Sequence, residues 1–431
     1  MELSPESLYE RFLNSTGACT DTRAIKDGQM FFALKGPNFN GNKYAKQALE
    51  KGAAYAVIDE VEYQEDGRFL LVEDTLKALQ DMAQVHRRMF HIPVLALTGS
   101  NGKTTTKELM RAVISQKYNT LATEGNLNNH IGVPLTLLNL KNEHEFAIIE
   151  MGANKLGDIR ELCEIAEPTH GLITNIGKAH LGPFGGFEQI IRAKSEMYQH
   201  LLSHRGTVFI NAENPILSNM AKRFKDPVMY LGEGNFYGCR LVEASPFATV
   251  ETENGNTIHS HLLGAYNFEN IATALCVGKF FKVPAEDAER AIAEYIPENN
   301  RSQLVKGKTN LLISDAYNAN PASMEAALRN LAGMKAEKKI AILGDMLELG
   351  DESPAEHARI GALSAELGID KVYFCGPHMK SAKAENPEAE YFEKKDDLAV
   401  ALKNDAPENA TILLKGSRGM SLESLTKLLL G

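Results

Sequence analysis

An apolar run, Ile92-Pro93-Val94-Leu95-Ala96-Leu97, passes directly into the glycine-rich turn Thr98-Gly99-Ser100-Asn101-Gly102-Lys103-Thr104-Thr105 and then into a helical pattern. Strand, glycine turn and helix in that order predict an α/β fold whose turn cradles phosphate. Glycine lets backbone N–H groups crowd around phosphate oxygens, and the start of the helix adds positive potential. Gly99, Ser100, Asn101, Gly102, Lys103, Thr104 and Thr105 are therefore the expected nucleotide-binding loop. Lys103 can reach the terminal phosphates, and the Thr104 hydroxyl suits a magnesium ion. The loop is two residues shorter than the common G-x-x-x-x-G-K-[ST] spacing.

At 431 residues the chain is too long for one ordinary domain, and about three are expected. A net charge of −10 without an extended basic stretch argues against a nucleic acid partner. No window approaches the ~18 apolar residues of a membrane span, and the first twenty residues carry Glu2, Glu6, Glu10 and Arg11 with no apolar core. A cytoplasmic protein with no membrane partner is the expectation, and a monomer is expected. Cys19, Cys163, Cys239, Cys276 and Cys375 are scattered without a C-x-x-C pair, so they read as buried free thiols rather than a zinc or redox centre.

Residues 1–88 read as a small α/β unit with strands near 29–34 and 54–58 around a helix near 44–51. From 89 to 298 strand and helix alternate, with apolar runs at 146–150, 171–176 and 208–211, as a mostly parallel sheet would require. Pro297-Glu298-Asn299-Asn300 is a polar, helix-breaking hinge candidate. Residues 299–431 again alternate, with strands expected at 310–314, 339–343, 371–374 and 411–414, and suggest a Rossmann-like domain.

Open α/β sheets place ligands at the carboxyl ends of their strands. Glu150 ends the run Phe146-Ala147-Ile148-Ile149, where a carboxylate can hold magnesium against phosphates gripped by Lys103 and Thr104. His180 follows the next strand signal, although a lone histidine is as readily structural. Phe187, Ile191, Lys194, Tyr198 and Leu201 share one helical stripe, which turns Lys194 inward. Such a lysine either snorkels outward, pairs with Glu196 or Glu150, or is desolvated until its neutral amine can react with carbon dioxide. Two asparagine-rich segments, Gly125–Pro134 with Asn128 and Asn129, and Gly264–Asn270 with Asn267 and Asn270, suit either a polar ligand or ordinary loops and caps.

Taken together these segments resemble the Mur ligase family, ATP-dependent enzymes that extend the peptide stem of the bacterial cell-wall precursor. The resemblance spans nearly the whole chain. It implies that Thr104, Glu150, His180 and a carbamylated Lys194 serve two magnesium ions, that Asn267 and Asn270 face the adenine, and that Asp315 reaches the ATP ribose. Arg301 would contact phosphate from the third domain. Tyr266 stands where the family often has histidine, which bears on adenine stacking. Thr20-Asp21-Thr22-Arg23 looks like part of the uridine-nucleotide signature, implicating Thr22 and Arg23. The segments Asp315–Met324, Leu343–Gly350 and Lys415–Met420 are similar to the branch that joins D-alanyl-D-alanine to UDP-N-acetylmuramoyl-tripeptide; Asn318, Asn320 and Arg418 are then candidates for the dipeptide carboxylate. Two other readings remain open at this point: a related ligase adding another stem residue or extending folate with glutamate, and an ATP-gated binding protein without ligation.

Overall fold

The computed structural model describes residues 3–177, 181–297 and 302–430. Three parallel or mostly parallel sheets follow one another along the chain. The first joins the short parallel strands Ala18–Cys19, Met30–Phe32, Tyr55–Ile58 and Phe69–Leu71 in that order. The second is a six-stranded parallel sheet in the order 228–230, 207–211, 170–173, 94–98, 146–150, 120–122. Two adjacent inner strands, Val94–Thr98 and Phe146–Glu150, are buried at every position, because helices cover both faces; hence their unbroken apolar runs.

The third sheet runs 303–306, 311–315, 410–415, 338–344, 371–375, 390–392, parallel except for Gln303–Lys306. The strands expected from apolar runs all form, with ends displaced by at most three residues, the largest shift being the run expected at 171–176, whose strand ends at Ile173. One element departs from the expected alternation of strand and helix. Cys239–Glu243, Phe247–Thr252 and Thr257–Leu263 form a separate antiparallel sheet. Its signal was present in the sequence: Asn254-Gly255 marks a hairpin turn, with Gly255 at φ +81°, and exposure alternates along the next strand.

The helix Thr75–Arg88 connects the first sheet to the second and is capped by Asp74, which accepts from the Lys77 N–H at 2.8 Å. It buries Leu79, Met82 and Ala83, and its far end is fixed by a buried arginine. Arg87 donates to Ala166 O at 3.0 Å, Glu167 O at 3.1 Å and Phe90 O at 2.6 Å. Two of these carbonyls lie at the end of the helix Asp158–Ala166, where carbonyls lack helical partners and a cation is favoured. No helix among the described residues is long and apolar enough to cross a membrane.

Replacing Arg87 with leucine should strand these acceptors in a buried seam and destabilise the protein by about 3 kcal/mol. Denaturant melts of Arg87→Leu and of an exposed control, Arg205→Leu, will check this; equal midpoints would refute it.

Candidate active site

The glycine-rich loop expected to cradle phosphate lies at the carboxyl end of Val94–Thr98, flanked by Phe146–Glu150 on one side and His170–Ile173 on the other. Helix Lys103–Ile114 starts from Gly102 at φ +77°, with no side chain capping it, so its first N–H groups face the loop rather than a cap. A Cβ on Gly102 would lie 2.6 Å from Asn270 Oδ1, and one on Gly99 would lie 1.9 Å from Thr174 Oγ1. Close packing therefore demands glycine at both positions.

Asn101 is pinned from the neighbouring strand end. Its N–H donates to Asn175 Oδ1 at 2.9 Å, while its carbonyl accepts from Thr174 Oγ1 at 2.7 Å and Asn175 Nδ2 at 3.1 Å. In a planar trans peptide the carbonyl and the next N–H point oppositely. Fixing the Asn101 carbonyl toward Thr174 and Asn175 thus turns the Gly102 N–H away from them. Ser100 adds two further ties, its N–H to Asn175 O at 3.0 Å and its hydroxyl to Gly177 O at 3.0 Å.

Thr104 donates its hydroxyl to Glu150 Oε2 at 2.9 Å, and Asn128 Nδ2 donates to Glu150 Oε1 at 2.8 Å. Parallel pairing of Leu97 with Glu150 brings the carboxylate beside the loop. Glu150 is only 1% exposed, and among the described residues both of its oxygens are met by neutral donors, with no basic partner. A buried carboxylate without a cation is costly. With the Thr104 hydroxyl beside it, the donor set is hard oxygen, which fits magnesium.

Lys103 and Lys194 converge on one carbonyl. Their amines donate to Gly99 O at 2.8 and 3.0 Å. Lys194, 3% exposed, projects from the helix Phe187–Ser203, whose buried face runs through Ile190, Ala193, Met197, Tyr198 and Leu201. The expected stripe is rotated slightly, leaving Phe187 and Ile191 half-buried. Burial first, and the charge of Lys103 second, hold the Lys194 amine well below the usual lysine range. Neither Glu196 nor Glu150 pairs with it. Glu196 instead accepts from the N–H groups of Gly157 and Arg160 at 2.8 and 3.0 Å, capping the helix that follows the Glu150 strand.

Asn267 and Asn270 are buried beneath the loop. Asn270 Nδ2 donates to Asn267 Oδ1 at 2.9 Å, Asn270 Oδ1 accepts from Thr106 Oγ1 at 2.9 Å, and Asn267 Nδ2 donates to Leu263 O at 2.8 Å. The pair locks the helix Phe268–Phe280 onto the phosphate-loop helix. Tyr266 donates its hydroxyl to Ser302 Oγ at 2.8 Å, and burial, then the nearby Asp315, raises the pKa of that hydroxyl.

In the third sheet, register pairs Asp315 with Lys415, and the buried Lys415 amine donates to Asp315 Oδ2 at 2.5 Å and to Asn318 O at 3.2 Å. Asp315 Oδ1 also accepts from the Ser302 N–H at 3.1 Å. Asn318 is exposed and accepts from the Ala319 N–H at 2.9 Å. Arg418 is exposed, its guanidinium 5.3 Å from the Tyr317 ring centre. Asn320 reaches across to Asn101, Nδ2 to Oδ1, at 2.6 Å.

Thr22 and Arg23 lie in the first unit, away from this cluster. Arg23 clasps Asp21, whose carboxyl is lowered to about 2 by that hydrogen bond, and the Thr22 carbonyl accepts from Lys51 at 2.9 Å. Asn129 caps the helix Gly132–Leu137, accepting from Ile131 and Gly132 N–H at 3.1 and 2.9 Å. His180 and Arg301 lie outside the described residues.

Sequence reasoning gave no site role to Thr174, Asn175 or Lys415. The first two follow directly on the strand that ends at Ile173; the lysine ends an apolar run much as Glu150 does, which is the signal that could have found it.

Family models match in chain order: the Mur ligase family catalytic domain over residues 15–87, the Mur ligase middle domain over 97–278 and the Mur ligase glutamate ligase domain over 300–418. A Bacillus subtilis relative named UDP-N-acetylmuramoyl-tripeptide–D-alanyl-D-alanine ligase is 36% identical, covering 95% of this chain and 92% of its own. The crystal structure of MurF from Acinetobacter baumannii superposes with a TM-score of 0.88 at 31% identity, covering 100% of this chain and 99% of the other. That of MurF ligase from Thermotoga maritima in complex with ADP gives 0.84 at 26% identity, with 97% of each chain covered. The chain belongs to the Mur ligase family.

Proposed function

We propose that this protein joins D-alanyl-D-alanine to UDP-N-acetylmuramoyl-tripeptide with cleavage of ATP to ADP and phosphate, yielding the pentapeptide precursor of peptidoglycan. The observation that carries the reading is the convergence of Lys103 and the buried Lys194 on Gly99, beside the Thr104–Glu150 pair. Relatives named for this reaction match along nearly the whole chain.

A carboxylate is a poor electrophile and oxide a poor leaving group, so amide formation needs activation. The terminal carboxylate of the tripeptide attacks the γ-phosphorus in line; the bond to the β-phosphate oxygen breaks, ADP leaves and an acyl phosphate forms. Lys103 and the loop N–H groups meet the charge that develops on the transferred phosphoryl group. The amine of the dipeptide then attacks the acyl carbon, loses its proton, and phosphate departs from the tetrahedral intermediate.

Thr104 and Glu150 would hold one of two magnesium ions, with His180 and a carbamylated Lys194 assigned to the other. When bound, these ions neutralise phosphate charge. Burial of Lys194 supports the carbamate reading, since only the neutral amine adds to carbon dioxide. Asp315, oriented by Lys415 and Ser302, is assigned to the ribose, Asn267 and Asn270 to the adenine end, and Arg301 to phosphate. Residues 1–88 are assigned the uridine nucleotide through Thr22 and Arg23, residues 89–298 the ATP, and residues 299–431 domain closure over both. Asn128 and Asn129 are assigned to the tripeptide side, and Asn318 and Arg418 to the dipeptide.

Purified protein given ATP, magnesium and UDP-N-acetylmuramoyl-tripeptide should release phosphate in a dipeptide-dependent manner and give the pentapeptide by mass analysis. Folded protein that yields no amide product would overturn the reading. Lys103→Ala should lower kcat at least 100-fold, through lost charge stabilisation in the transition state; wild-type turnover would remove Lys103 from the chemistry. Lys194→Ala should lose most activity and regain part of it with short carboxylic acids, which can replace the carbamate. In the wild type, the lowered amine pKa keeps the neutral form to lower pH than an exposed lysine would allow. Bicarbonate stimulation should therefore grow as pH rises through that pKa and fade as pH falls below it; stimulation that instead grew toward acid would count against the carbamate.

A further inference from the structure

One side chain joins the third unit directly to the phosphate loop. Asn320 is the N-cap of the helix Pro321–Gly333, in a capping box with Ser323: its Oδ1 accepts from the Ser323 N–H at 3.0 Å, and its own N–H donates to Ser323 Oγ at 3.1 Å. The cap commits the oxygen of the amide, so the nitrogen must face the other way. That nitrogen donates to Asn101 Oδ1 at 2.6 Å, and the residue is only 8% exposed. Asn101 is in turn the loop residue whose backbone is held by Thr174 and Asn175.

A second contact shows how closely the same two units approach. Gly182 N–H donates to Glu348 O at 3.2 Å, and a Cβ on Gly350 would lie 2.9 Å from Gly182 Cα. No side chain fits between them. Asn320 is thus spent at both ends of its amide, as a bridge, which is a different task from gripping a dipeptide carboxylate.

We propose that Asn320 is a positioning residue that couples seating of the third unit to the shape of the phosphate loop, through Asn101. With the third unit seated, the Asn101 side chain is held and the loop keeps the conformation that presents its N–H groups to a nucleoside triphosphate. Without it, the loop retains only its ties to the strand end. The inference rests on the reading of this loop as the ATP site.

The test is a double-mutant cycle with Asn101→Ala, Asn320→Ser and the double variant. Serine keeps the helix cap but is too short to reach Asn101. Affinity for a non-hydrolysable ATP analogue is measured by calorimetry, and KM for D-alanyl-D-alanine in the coupled assay. Each single variant should weaken analogue binding by about fivefold, as loss of one hydrogen bond implies. The double should be no weaker than the weaker single, with the dipeptide KM within about twofold of wild type. Effects that multiply in the double, analogue binding unchanged in either single, or a dipeptide KM raised tenfold in Asn320→Ser would each overturn the proposal. Analogue binding does not require ligation, so a wild type lacking pentapeptide product would remove the functional reading while the cycle still decides the role of Asn320.

Discussion

The site depends on a loop that is clamped from two sides at distances only glycine permits. Thr174 presses against Gly99 and Asn270 against Gly102, while Thr174 and Asn175 take the polar atoms of Asn101. A free chain of this composition would sample many conformations, and holding one residue's backbone costs roughly 1–2 kcal/mol. Here the cost is offset by hydrogen bonds from elements that are themselves rigid: the end of a buried parallel strand and a buried helix. The loop is therefore held in one shape by its surroundings, which is what the proposed stabilisation of a transferring phosphoryl group by fixed dipoles would require.

Charge is distributed around that loop in a way burial alone would oppose. Glu150 is enclosed with neutral donors, and two lysine amines share one carbonyl. The Glu150 carboxylate is the costly member of this arrangement, because burial disfavours a charge met by neutral donors, and a cation beside it would offset that cost. The third unit repeats the theme with a different balance. Lys415 and Asp315 neutralise each other, so that carboxylate is oriented for a hydrogen bond rather than left to attract a metal.

Much of this was legible in the chain. Buried parallel strands need apolar residues at successive positions, so Val94–Thr98, Phe146–Glu150 and Ala410–Lys415 announced themselves as runs. The antiparallel sheet at 239–263 was passed over because its alternation sits among short, polar strands, although Asn254-Gly255 marked its turn. Lys194 was found by helical periodicity, which reports the inward face; its partner was not, since Glu196 two residues later turns away to cap another helix.

By itself, then, the sequence determined the local units: a strand, turn and helix with glycine where backbone must approach closely, a carboxylate at a strand end, a lysine on a buried helical face. These follow from periodicity and from the conformations each residue allows, which are properties of short segments. Only the tertiary structure decided the pairings. Leu97 stands beside Glu150 and Asp315 beside Lys415 because of parallel register, and Asn101 meets Asn320 from 219 residues away. Register and docking are set by the packing of whole faces against one another, information that no single segment carries.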